Sequence, residues 1–226
     1  GLDVAARIQL MDPDKPLRHQ VYAKFSGRLK FGEGWNFWSI YSLDITNDFS
    51  DDGPSDSQLP QVRSNVNRYL TRGRSGLDSF YVERRDGWPS ALYYRVYGGL
   101  LEEMYAGVGA ELLFKPHRSK WGVGLTTNHI RQREYERGFG LRDYRTSTGF
   151  MSVYYASPFY HFDLAVHAGR YLAKDVGVTF EARRTFDSGF SIGAFFTRTN
   201  TSDLEYGQGG FDKGLSFRLP FNAVLP

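Results

Sequence analysis

The 226 residues carry 28 Lys and Arg against 25 Asp and Glu, a near balance without a long basic tract, so no nucleic-acid partner is expected. Cysteine is absent, which excludes disulfides, thiolate metal sites and cysteine nucleophiles. No apolar run reaches the ~18 residues of a membrane-crossing helix, whereas 15 Tyr, 18 Phe and 25 Gly favour β structure.

The chain opens with Gly1 rather than Met and shows no signal-peptide pattern, as expected of a processed product or an excised piece of something longer. After an opening strand, residues 21–31 alternate cleanly: Val21, Ala23, Phe25, Leu29 and Phe31 on one face, Lys24, Ser26, Arg28 and Lys30 on the other. A weaker strand follows at 35–46. Residues 47–75 are too polar and too rich in Ser, Asp and Arg for a strand. They predict a long loop over a barrel mouth with a helical turn around 66–70, acting as a constriction or a partner contact.

Strands are expected at 77–86, 90–101, 106–114 and 121–133, then a charged connection at 133–145, then strands at 144–156, 160–169, 176–183, 190–199 and 214–221. Short turns punctuate them, among them Gly32-Glu33-Gly34, Asp86-Gly87-Trp88-Pro89, Lys115-Pro116-His117-Arg118, Ser157-Pro158 and Asp187-Ser188-Gly189. Consecutive strands are therefore antiparallel neighbours. About eleven in one meander exceed what an open sheet carries without curling. The expected fold is all-β: an antiparallel up-and-down transmembrane β-barrel, a single domain over 1–226, with upstream strands completing an odd tally. Trp35, Trp38, Trp88, Tyr93, Tyr94, Trp121, Tyr154, Tyr155 and Tyr160 lie near strand ends, where interfacial girdles belong.

The polar phases supply the candidate lumen lining: Lys24, Arg28, Lys30, Glu111, Arg131, His161, Asp163, His167, Glu181 and Arg183. Both signs mix, which suits a hydrated interior and neutral or weakly charged polar ligands. His161, Asp163 and His167 share a strand face, but the two histidines would stand roughly 20 Å apart, too far to clasp one ion. No metal and no cofactor is expected. Glu102 and Glu103 invite comparison with the acid and base of a glycosidase, yet neighbours on a strand diverge unless the chain turns there. The glycines of "AGVGAE", "WGVG" and "YGQGG" precede no helix, so they form no phosphate cradle and read as relief of crowding in a curved sheet.

Six stretches taken together, "DPDKPLRHQVYAK", "LPQVRSNVNRYL", "LEEMYAGVGAELLFKP", "RGFGLRDYRT", "AGRYLAKDVG" and "GQGGFDKGLSFRLPF", resemble the C-terminal region of the YjbH-like family of exopolysaccharide-biosynthesis proteins. The resemblance runs in order from Asp12 to Phe221. It implies a barrel in the outer membrane of a Gram-negative bacterium, in contact with outer-membrane lipids, polysaccharide and other exopolysaccharide secretion proteins. It implies no enzymatic activity, and it supplies no catalytic residues. The expected role is export or assembly of a secreted polysaccharide or capsule. Two rivals are a plugged scaffold barrel that docks secretion partners, and a trimming enzyme with Glu102 or Glu103 as acid.

Overall fold

The computed structural model describes residues 1–10, 17–51, 62–63, 65–200 and 211–218. Twelve antiparallel strands form one sheet in strict chain order. They are β1 (Leu2–Leu10), β2 (Leu17–Lys30), β3 (Trp35–Asn47), β4 (Gly76–Trp88), β5 (Leu92–Leu100), β6 (Tyr105–Phe114), β7 (Trp121–Arg133), β8 (Leu141–Ala156), β9 (Phe162–Arg170), β10 (Val176–Thr185), β11 (Ser191–Thr199) and β12 (Phe211–Arg218). Helix α1 (Val66–Arg72) lies in the β3–β4 connection, where the sequence predicts a helical turn. Each segment expected from the sequence, the opening and terminal ones included, corresponds to one strand, and the count is twelve, one above the tally of about eleven. Among the described residues, β1 and β12 each pair on one side only.

Alternation builds the sheet because successive side chains point to opposite faces. One face carries Val4, Phe25, Leu43, Phe80, Val108, Leu125, Met151, Phe180 and Phe196, all exposed. The other carries Gln20, Ser42, Glu83, Thr148, Ser152 and Thr179, all buried. This reverses the usual order, in which apolar groups hide and polar groups meet solvent. The apolar cluster that is buried is small: Tyr69, Met104, Tyr105 and Ile130, with Tyr144 and Leu172 packed on it, where α1 lies against the sheet.

The strands also slide past one another. A line of directly paired residues runs Leu29, Phe37, Val82, Gly98, Val108, His129, Ser147. It starts one residue from the end of β2 and arrives well inside β8. Such a cumulative stagger accompanies the strand tilt of a barrel wall. Bulges at Val21/Tyr22, Ile40/Tyr41 and Arg131/Arg133 add local twist. Gly99 and Gly107, a cross-strand pair, permit close approach: a Cβ at Gly99, where φ is 137°, would sit 2.4 Å from the Phe80 carbonyl oxygen.

The two ends differ. At one, strands join through residues 31–34, 89–91, 115–120, 157–161 and 186–190; at the other, through 48–75, 101–104, 134–140 and 171–175. Asp86 to Trp88, expected as a turn, continue the β4–β5 ladder, and the reversal falls at 89–91 with Ala91 at positive φ. The terminal strand ends at Arg218 among the described residues, and the expected continuation through 221 lies outside them.

Candidate functional site

The polar face is the candidate site, and a connected network runs along it. Glu83, fully buried, accepts a hydrogen bond from Trp38 Nε1 at 2.8 Å and from Arg95 Nε at 2.7 Å, and pairs with Arg85 at 2.8 Å. Arg95 continues to Glu111 at 3.2 Å. Tyr97 donates to Asn128 Oδ1 at 2.5 Å, and Asn128 donates to Thr148 Oγ1 at 3.3 Å. Further round, Ser152 meets His167 at 2.8 Å and Thr179 meets Thr197 at 2.7 Å. Strand parity explains the chain of partners, since Tyr97, Glu111, Asn128 and Thr148 all occupy the phase opposite the apolar face. A buried carboxylate survives there because three donors replace its water.

This face is hollow in several places, of which two bear on a ligand. A cleft of about 780 Å³ near the short-turn end is lined by Lys115, Lys120, Tyr154, Asp163, His167, Glu181, Arg183 and Phe195. A second of about 440 Å³, nearer the other end, is lined by Tyr81, Arg95, Tyr97, Tyr105, Asn128 and Tyr171. Aromatic rings beside hydroxyls, amides and charges suit a sugar, whose apolar face stacks while its hydroxyls exchange water for side chains.

The long-connection end is covered. Tyr69 of α1 donates its hydroxyl to the Arg133 carbonyl oxygen, and Asn47 Nδ2 donates to Leu70 O at 2.8 Å. Arg133 donates to the carbonyl oxygens of Glu102, Arg137 and Gly138 at 2.6, 2.9 and 2.9 Å. Arg137 reaches Asp78 at 3.1 Å, and Asp78 accepts from Ser42 at 2.5 Å. Burial pushes the Tyr69 phenol up to about 12. Tyr135, also at this end, sits under the Arg142 guanidinium at 4.2 Å from its ring centroid. Burial opposes its ionisation, but the hydrogen bond with Arg68 and the Arg142 charge win and hold it below its usual value.

Lys24, Arg28, Lys30, Glu111, Asp163, His167, Glu181 and Arg183 fall on the polar phase. Asp163 pairs with Arg183 at 3.7 Å and His167 with Glu181 at 3.9 Å. Arg131 does not belong with them. Its ladder partner is Ala106, on the apolar phase, so it stands on the outward face five residues from Thr126, the partner of Glu111. His161 is not in a strand either. With Tyr160 it forms the left-handed turn into β9, at φ 55° and 52°, so it does not share a strand face with Asp163 and His167. Glu102 and Glu103 lie in the turn between β5 and β6. Both are held by arginines, Glu102 by Arg63 at 2.8 Å and Glu103 by Arg7 and by Arg137 at 3.6 Å. Sequence reasoning missed Tyr81, Glu83, Arg95, Tyr97 and Asn128, and it assigned Trp38, Tyr93 and Tyr154 to the interfacial girdle, whereas their pairing places them on the polar phase. The alternation Tyr81, Glu83, Arg85 and Tyr93, Arg95, Tyr97 was the available signal.

A family model described as exopolysaccharide biosynthesis protein YbjH matches residues 1–226. A protein named uncharacterized lipoprotein YjbH, from Escherichia coli strain K12, is 38% identical over 176 residues, covering 75% of this chain and 25% of that protein. The chain thus spans about a quarter of the length of that curated relative. Since the matched model runs from residue 1 to residue 226 of a two-faced, all-β meander, the chain belongs to the YjbH family of exopolysaccharide biosynthesis proteins.

Proposed function

We propose that the sheet is the wall of an outer-membrane β-barrel that assists export or assembly of a secreted polysaccharide, with the polar face as a hydrated path. The apolar face carries the reading. It exposes far more large apolar side chains than a soluble monomer leaves in water, and no other described element covers them. On β7 the outward phase runs from Trp121 through Val123 and Leu125, then through the polar Thr127 and His129, to Arg131, so Trp121 and Arg131 mark its two interfacial ends. The ten steps between them span about 33 Å along the strand, or about 25 Å of membrane depth at a tilt of about 40°. Outward or turn aromatics Phe31, Trp35, Trp88, Phe114, Trp121, Phe159, Tyr160 and Phe162 gather at the short-turn end, as an interfacial girdle would.

The name of the E. coli relative as a lipoprotein supports membrane association of the longer protein. Transport needs many weak contacts rather than one tight one, and a lining of tyrosines, amides and paired charges supplies them. No reacting group is required, so the reading carries no catalytic step. A second reading, a plugged barrel that docks secretion partners, draws on α1, whose Tyr69 is wholly buried over the polar face. Full-length protein in planar bilayers separates the two. A conduit gives a steady conductance that added polysaccharide blocks, whereas a plug gives none until residues 48–75 are shortened to a tight turn. No conductance with either form, at normal insertion, rejects the conduit.

A further inference from the structure

The outward face changes character where it approaches the long connections. Arg131 and Arg145 are direct cross-strand partners, both exposed. Like charges placed opposite one another destabilise a sheet unless an anion lies between them. Arg170 follows on β9, Arg198 on β11 and Lys213 on β12, all exposed and all on the same outward phase, as their partners Gly149, Val178 and Phe196 show. Arg131 has an ion pair with Asp143 at 3.6 Å, on a carboxylate fully open to solvent. Arg145, Arg170 and Arg198 have no ion pair among the described residues.

These cations follow the stagger of the sheet. From β8 to β12 they step progressively away from the long-connection end, in the direction in which the aromatics of the opposite girdle step from Trp35 through Trp88 and Trp121 to Phe162. Two parallel borders, one aromatic and one cationic, enclose the apolar band. Between the cations and the hydrocarbon sits a hydrogen-bonded pair, His129 Nδ1 with Ser147 Oγ at 2.9 Å.

We propose that this belt, resting on the barrel reading above, binds the phosphate groups of a phosphorylated glycolipid in the leaflet next to the long connections. Guanidinium forks match phosphate oxygens in pairs. Long connections mark the external side of outer-membrane barrels. His129 and Ser147 stand where a sugar headgroup has hydroxyls and a diacyl phospholipid has only ester oxygens, which favours the glycolipid.

The test uses full-length protein in detergent, with bound lipid read by native mass spectrometry. Bis-phosphorylated lipid A, dephosphorylated lipid A, phosphatidylglycerol and inorganic phosphate are the probes. Lipid A should be retained over the other three. Its dissociation constant should rise at least tenfold in the Arg145→Gln, Arg170→Gln, Arg198→Gln triple variant, and much less when the same three become Lys. Arg184→Gln, at the opposite girdle, should leave binding unchanged. Equal retention of phosphatidylglycerol, capture of inorganic phosphate alone, or an unaffected triple variant overturns the proposal. Failure of the wild-type protein to float with vesicles overturns the barrel reading itself.

Discussion

Tyr69 carries a measurable share of the order at the covered end. Its phenol is fully buried and donates to Arg133, and burial lifts it from 10.0 to about 12. The folded state therefore favours the protonated phenol. That contribution, about 3 kcal/mol by linkage, is fully present below about pH 10 and is lost as pH rises through 12. Tyr69→Phe should cost about 1 kcal/mol at neutral pH for the lost hydrogen bond, and should remove the Tyr69 share of the alkaline loss expected of the wild type. Protection of the α1 amides, followed by hydrogen exchange from pH 7 to 11, checks both. Glu83 offers a contrast in electrostatics. It is closed to solvent and held by Trp38, Arg85 and Arg95, whereas Glu111 is partly open and meets Arg95 with Tyr97. Removing one partner of a buried network strands the others, so Glu83→Ala should cost about 3 kcal/mol and Glu111→Ala about 1 kcal/mol or less. Urea midpoints of the two variants in the same lipid or detergent measure the difference.

At the scale of elements, what the sequence reveals depends on whether a strand has one polar phase or two. β2 from Ala23 to Lys30 and β10 from Val176 to Arg183 alternate, so Lys24, Arg28, Glu181 and Arg183 could be assigned to a face by counting. β7 cannot be read that way. From Thr126 through Thr127, Asn128, His129, Arg131 and Gln132 both phases are polar, and the phase of Arg131 emerges only from its pairing with Ala106. The same holds for β5, where Tyr93 and Tyr94 adjoin and hide the alternation that carries Arg95 and Tyr97. His161 was lost to a different cause, a left-handed two-residue turn that resembles the strand beside it in composition. The helical turn after residue 65 was legible. What it does was not, because the long-range partners of α1, Asn47 and Arg133, stand far off in sequence on β3 and β7. Glu102 and Glu103 show the reverse case: their turn was foreseeable, their arginine partners were not.

For the molecule as a whole, the barrel reading turns on what meets the edges of β1 and β12, each paired on one side only among the described residues. Twelve strands remove the odd tally that called for an extra strand, and an even up-and-down meander brings its first and last strands together antiparallel. Unpaired edges in a bilayer leave backbone amides without partners, which hydrocarbon does not tolerate. The side chains indicate a register. Asp3 and Arg7 share the polar phase of β1, and Asp212, Ser216 and Arg218 share that of β12. Setting Arg7 opposite Asp212 joins opposite charges and also brings Asp3 opposite Ser216, with Val4, Ile8, Leu215 and Phe217 all facing outward. The chain has no cysteine, so an introduced pair reports without background. Asp3→Cys with Ser216→Cys, in lipid, should oxidise within one chain, because directly opposed positions fall in the ~4.4–6.8 Å Cα range that a disulfide requires. Asp3→Cys with Asp212→Cys, four residues out of register, should stay reduced. Cross-linking between chains, or oxidation of neither pair, would mean that strands from elsewhere in a longer protein, rather than its own edges, complete the wall.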